Sequence, residues 1–165
     1  MPDYTIREMN PSEYPLLENF LYEAIFQRDE TNLLPKTVIN DPSLKIYIAD
    51  FGKKPHDYCV CADVAGEIIG AAWVRIINGF GHLDGDTPEF AISLYKEYRS
   101  RGIGTALMKE MLALLARKGY RRTSLAVQKD NYALRMYERL GFQRVDENAE
   151  EYIMECRFEC GGETR

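Results

Sequence analysis

The 165-residue sequence predicts an α/β (α+β) domain, and three observations carry that prediction. Short runs of polar–apolar alternation recur along the chain, as half-buried strands require. Between them stand segments with apolar residues at helical spacing, the strongest beginning at Ile103 and stopping at Gly119. The apolar run Phe90–Tyr95 leads through a Gly-rich turn into that helix, and a second apolar run, Thr123–Val127, follows it. A strand–helix–strand unit of this kind requires a parallel strand pair.

In chain order, Tyr4–Met9 alternates weakly and reads as a first strand. Asn10-Pro11-Ser12-Glu13 is a helix start, with a capping amide, proline at the first position and glutamate where a capping box places it. Leu16, Leu17, Phe20, Leu21, Ala24 and Ile25 continue at helical spacing, predicting one amphipathic helix to about Gln27. A short helix is expected after Leu33-Leu34-Pro35, ending near Asn40, and Leu33 and Leu34 read as core. The stretch Lys45–Phe51 is equally compatible with strand and helix. Asp57–Ala65 and Glu67–Ile77 form a predicted hairpin turning at Ala65-Gly66, with Trp73 a packing residue. Residues 78–88, rich in Gly and Asp, are a loop.

The helix from Ile103 carries its apolar stripe on Ile103, Leu107, Met111, Leu114 and Leu115. Arg117 and Lys118 complement its C-terminal dipole before Gly119 ends it. A second helix follows Asn131, its expected N-cap, and stops at Gly141. Strands at Gln143–Val145 and Glu151–Phe158 complete a single domain over residues 1–160, leaving 161–165 as a loose tail.

The balance of charge narrows the partners. With 21 basic and 26 acidic residues the net charge is −5, which argues against nucleic acid, whose phosphates need a basic surface. No run approaches the ~18 apolar residues of a membrane span, and the first residues show neither a basic start nor an apolar core, so a cytoplasmic protein without a membrane partner is expected. Cys59, Cys61, Cys156 and Cys160 lack zinc-site spacing. Cys59 and Cys61 alternate within an apolar strand, as small hydrophobes on one face do, and no metal is expected.

The residues with the most to say about chemistry are Arg99-Ser100-Arg101-Gly102-Ile103-Gly104-Thr105, at the strand-to-helix turn. The first N–H groups of a helix have no intrahelical partner and carry partial positive charge. Glycines at 102 and 104 let an anion approach them, and two arginines add charge. A Walker loop is excluded, because the only Gly-Lys, at Gly52-Lys53, has Tyr47 where the first glycine belongs. A dinucleotide fingerprint fails at Leu107, which replaces its third glycine. The pattern present is Arg/Gln, two residues, Gly, one residue, Gly/Ala, followed at a distance by Asn131 and Tyr137-x-x-x-Gly141-Phe142.

In these two blocks, about a third of its length, the chain resembles the GCN5-related N-acetyltransferases. The resemblance implies a central mixed, mostly antiparallel sheet of about six to seven strands flanked by about four helices, with a splayed parallel pair at the cofactor site. It also implies acetyl-CoA as co-substrate, a primary amine as acceptor, and direct attack through a tetrahedral intermediate. Arg99 to Thr105 would then hold the pyrophosphate. The main chain of Ile92, Ser93 and Leu94 would pair with the pantetheine arm and supply an oxyanion donor, and Asn131 and Tyr137 would complete the cofactor site.

A free amine has a pKa near ~10.4, so a base helps at neutral pH, and Glu89 is the candidate beside a plain reading as a solvated carboxylate at a strand end. Asp84 and Asp86 are weaker candidates, and the three carboxylates together favour a cationic acceptor. Tyr137, which stays protonated at pH 7, is the candidate acid for the departing thiolate, against the alternative that it only packs. A non-catalytic acyl-CoA-binding module is the competing function. The sequence does not exclude a homodimer.

Overall fold

A computed structural model describes residues 3–158. Seven strands form one sheet: β1 (Thr5–Glu8), β2 (Tyr58–Val64), β3 (Glu67–Arg75), β4 (Glu89–Leu94), β5 (Arg122–Gln128), β6 (Gln143–Glu147) and β7 (Glu151–Arg157). Their order is β1-β2-β3-β4-β5-β7-β6, antiparallel except for the parallel pair β4–β5. The helices are α1 (Leu17–Ala24), α2 (Pro42–Lys45), α3 (Ile103–Arg117) and α4 (Leu134–Arg139). The expected mixed sheet with four flanking helices is present.

Strand alternation divides the core into two faces. Phe90 and Leu94 of β4, with Leu125 and Val127 of β5, pack under α3 through Ile103, Leu107, Met108 and Met111. The opposite face receives Leu17, Phe20 and Leu21 of α1, with Cys59, Cys61 and Trp73 beneath. Both cysteines therefore do face one side as small hydrophobes. Trp73 is buried and donates its ring N–H to the Tyr47 carbonyl, which settles it as packing.

Beside β4, the parallel pair is a pair almost in name alone. β4 and β5 share one bridge, Glu89 with Ser124, and diverge from there toward their C-terminal ends. β4 meanwhile keeps six registered partners in β3, and β5 seven in β7. The divergence leaves main-chain donors and acceptors of Ile92–Leu94 without a strand on one side, at the edge where an extended ligand can add.

Three expectations need correction. The N-terminal helix is broken: Pro11–Leu16 is a 3-10 helix and the α-helix starts only at Leu17, because Pro15 has no N–H for an α-helical bond. Leu33 and Leu34 are not core but 54% and 45% exposed. Asn131 is not the cap of α4, which begins at Leu134; its Oδ1 instead accepts the Ala133 N–H in the preceding turn. The ambiguous stretch after Lys45 is neither strand nor continuous helix, but a turn in which Asp50 adopts φ +54°. The expected tail at 161–165, like Cys160, lies outside the described residues.

Candidate active site

Two cavities open from the splay. A groove of about 780 Å³ runs along the α3–α4 side and is lined by Ile92, Ser93 and Leu94, by Arg99, Ser100, Gly102, Gly104 and Thr105, and by Asn131 and Tyr137. A second cavity of about 640 Å³ lies toward α1 and α2, lined by Tyr47, Phe80, Ala91, Ala126, Gln128 and Glu151 among others. Ala24, Ile25, Phe26, Ile92, Asn131 and Tyr137 line both. The two spaces thus meet at the splay.

The Gly-rich turn builds one end of the groove. Ser100 sits at φ +63° and Gly102 at φ +84°, and this twist turns the chain into α3 with no side-chain cap and no acid in the first turn. Backbone strain accounts for Gly102, since an L-residue is disfavoured there. Nothing within the protein accounts for Gly104. A methyl on it would make only ordinary contacts, at 3.6 Å to Leu94 Cδ1 and 3.8 Å to Met136 Sδ. Its bareness leaves the helix N-terminus open to close approach.

Not every residue of the turn presents its side chain. The Arg99 guanidinium reaches back to the Leu94 carbonyl at 3.0 Å and to the Glu23 carboxylate at 2.9 Å, so its charge is shared with α1. Arg101 lies over the Tyr98 ring, 5.9 Å from its centroid, and Ile103 is core, leaving its N–H as its contribution. Ser93 gives its hydroxyl to the Phe20 carbonyl at 2.6 Å and pairs its main chain with Ala71 of β3, so the open edge belongs to Ile92 and Leu94.

Glu89 is not the solvated carboxylate of one of its two sequence readings. It is 2% exposed, which rules out a solvated strand end. Its carboxylate accepts the N–H groups of Gly79 (2.8 Å) and Gly81 (3.0 Å) and the hydroxyl of Tyr47 (3.1 Å). Burial raises its pKa above the usual carboxylate value, against these three donors, which favour the ionised form. Glu89 does not line the second cavity; Tyr47, which does, stands between them. Tyr47 was invisible in the sequence, where its segment read as strand or helix and nothing linked it to a residue 42 positions away.

Asp84 and Asp86 line neither cavity. Asp84 is committed to Thr87, at 2.7 Å, and to Arg122, at 2.6 Å, which hold its carboxyl well below the usual range.

Tyr137, on α4, is 9% exposed and packs against Phe142 with ring centroids 5.9 Å apart. Its hydroxyl makes no hydrogen bond among the described residues but is not fully enclosed, and burial of the ring's surroundings pushes its pKa up to about 12. Beneath the junction of the cavities there is thus a protonated phenol with an unused donor. Among the described residues, no three His, Cys, Asp or Glu side chains come together as a metal would need, and no helix is long and apolar enough to cross a membrane.

A sheet opened at one parallel pair, with a bare helix N-terminus at its mouth, is the architecture of an acyl-group transferase. The Acetyltransferase (GNAT) family matches residues 20–142, and the chain belongs to that family. Solved structures share the fold at low identity. A putative acetyltransferase from Acinetobacter baylyi superposes with TM-score 0.73 at 15% identity, covering 100% of this chain and 98% of that one. The PaiA N-acetyltransferase from Thermoplasma acidophilum, solved in complex with coenzyme A, gives 0.66 at 18%, covering 94% and 99%. YncA from Salmonella typhimurium, a putative acetyltransferase solved with its cofactor acetyl-CoA, gives 0.67 at 16%, covering 94% of each.

Proposed function

We propose that this chain is an N-acetyltransferase that takes acetyl-CoA in the α3–α4 groove and a primary amine in the cavity beside Tyr47. The observation that carries the reading is the junction: a groove fit for a phosphorylated, amide-bearing ligand meets a separate cavity at Tyr137. The groove fits acetyl-CoA on its own terms. Gly104 is bare where the protein would tolerate a side chain, the first-turn N–H groups are open, and the free edge of Ile92–Leu94 suits an arm with amides. Bound there, acetyl-CoA would supply a thioester carbonyl activated for acyl transfer.

The chain's own groups would then have these tasks. N–H groups on the free edge of Ile92–Leu94 stabilise the oxygen that gains charge during attack. Glu89 accepts a proton through Tyr47: the amine proton passes to Tyr47 Oη as the phenolic proton passes to Glu89 Oε1. Tyr47 can do this because its oxygen accepts only one hydrogen bond, from the Phe80 N–H at 2.9 Å, leaving a lone pair toward the cavity. Tyr137 gives its proton to the departing thiolate, for which a raised phenolic pKa keeps it ready at neutral pH.

An amine panel incubated with acetyl-CoA and assayed for free thiol tests the reading. Amine-dependent thiol release with a matching N-acetylated product is the expected result. Tight acetyl-CoA binding with no release for any amine would overturn it in favour of a non-catalytic acyl-CoA-binding module.

A further inference from the structure

We infer that the acceptor is an amine whose apolar body carries a second positive charge, received by Glu150 and Glu151, and that free carboxylates are rejected. The inference rests on the reading of the Tyr47 cavity as the acceptor site and names the class of molecule it selects.

The cavity lining is apolar and aromatic over most of its area, with Phe26, Tyr47, Phe80 and Phe90 contributing rings. Its ionisable groups besides the two tyrosines are Glu150 and Glu151, and no Lys, Arg or His lines it. Neither carboxylate has a salt bridge among the described residues. Glu151 accepts one hydrogen bond, from Gln128 Nε2 at 3.3 Å. It pairs with Gln128 across β5–β7, so both side chains share the face that holds the cavity, and its charge is felt at the Tyr47 hydroxyl. Arg28 touches the other end of the Gln128 amide at 3.0 Å and is held by both Asp130 oxygens at 2.5 Å, so Glu150 feels its charge only at a distance, with no hydrogen bond between them. Lys129 is paired with Glu147 and lies over the Tyr152 ring.

The Tyr137 hydroxyl, on a residue 9% exposed, makes no hydrogen bond among the described residues and borders the same space, so an occupant can reach it. An occupant that fills the space removes water from the half-buried Glu151 and displaces some from the exposed Glu150, a cost that stands unless charge of opposite sign offsets it. The attacking amine cannot supply that charge, because it must be neutral when it reacts. A second, permanent cation on the acceptor can, and it does so in the ground state and in the transition state alike. A carboxylate on the acceptor would face two like charges with no compensating base.

The test compares three probes on one scaffold: 4-(aminomethyl)benzylamine, benzylamine and 4-(aminomethyl)benzoate. For the wild type, kcat/KM should fall at least tenfold from the diamine to the monoamine and further to the amino acid. In Glu150→Gln/Glu151→Gln the diamine-to-monoamine ratio should collapse by about tenfold, and calorimetric titration without acetyl-CoA should show the same loss of diamine preference in binding. A wild-type ratio near one, or a ratio unchanged in the double variant, overturns the inference and leaves amine acetylation standing. Diamine-selective binding that needs both glutamates but gives no turnover supports the inference and removes the acetyl-transfer reading instead.

Discussion

The hydroxyl of Tyr47 donates to Glu89 Oε1 at 3.1 Å and accepts the N–H of Phe80 at 2.9 Å, so the buried carboxylate meets the acceptor cavity only through a phenol. Tyr47 is itself positioned from two sides. The Trp73 ring N–H binds its carbonyl, and the Arg75 guanidinium binds the carbonyls of Ile46 and Ala49, on either side of it. Removing the hydroxyl should break the proton route and leave the packing intact. Tyr47→Phe is expected to lower kcat/KM by tenfold or more. It also removes one donor that favours ionised Glu89, so the carboxyl pKa rises and the ascending limb of the pH–rate profile moves to higher pH. A profile unmoved in position and within threefold in height would detach Glu89 from the chemistry.

Tyr137→Phe keeps the ring against Phe142 and deletes the one unpartnered hydroxyl at the junction. Turnover should fall ~10²-fold or more while acetyl-CoA binding is nearly unchanged. Turnover within about threefold of wild type, with chemistry rate-limiting, would reduce Tyr137 to packing.

The two glycines of the turn should respond oppositely to alanine. Gly102→Ala places a side chain at φ +84° and should cost about 1–2 kcal/mol of stability without ligand. Gly104→Ala meets no crowding and adds a good helix former, so the unliganded Tm should hold or rise. The upward Tm shift produced by acetyl-CoA should nevertheless shrink, since the methyl stands in the ligand's approach. Thermal melts with and without acetyl-CoA decide the matter; an undiminished shift in Gly104→Ala would show that the helix N-terminus is not the binding point.

Arg75 and Asp57 form a buried ion pair, 2.9 Å apart, under the segment that carries Tyr47. Asp57→Ala leaves the guanidinium buried and half-satisfied and should cost about 3–5 kcal/mol in urea denaturation. Because Arg75 also fixes the carbonyls around Tyr47, the same change should raise the acceptor KM more than that for acetyl-CoA.

The sequence made the strand, the Gly-rich turn and the start of α3 legible because the information is local: strand end, spaced glycines and helix start fall within sixteen residues. What it hid was set by distant pairing. Arg99 read as a free charge for an anion, but Glu23, 76 positions earlier, shares it. Nothing in the sequence singled out Glu150, and Glu151 read only as the start of a strand; they reach the Tyr47 cavity because β7 returns beside β5. Asp84 and Asp86 read as acceptor carboxylates, and Arg122 draws Asp84 away. Leu33 and Leu34 were assigned to the core on apolarity alone, a rule that fails where a connection runs along the rim of a groove, as Leu33 does.

The lone bridge between Glu89 and Ser124 has a mechanical meaning. It divides the sheet into two stiff leaves, β1–β4 and β5–β7, fastened at one end by the Ser124 N–H to Pro88 carbonyl, the Thr123 hydroxyl to the same carbonyl, and the Ser124 hydroxyl to the Gly81 carbonyl. At the far end, among the described residues, the gap is spanned by side chains alone, Arg28 reaching Gln128 and Asp130. Glu89 sits at the closed end, beside the bridge, and takes its three hydrogen bonds from Tyr47, Gly79 and Gly81, none of them on β5. The hinge side of the sheet thus holds the carboxylate, and the open side holds the space.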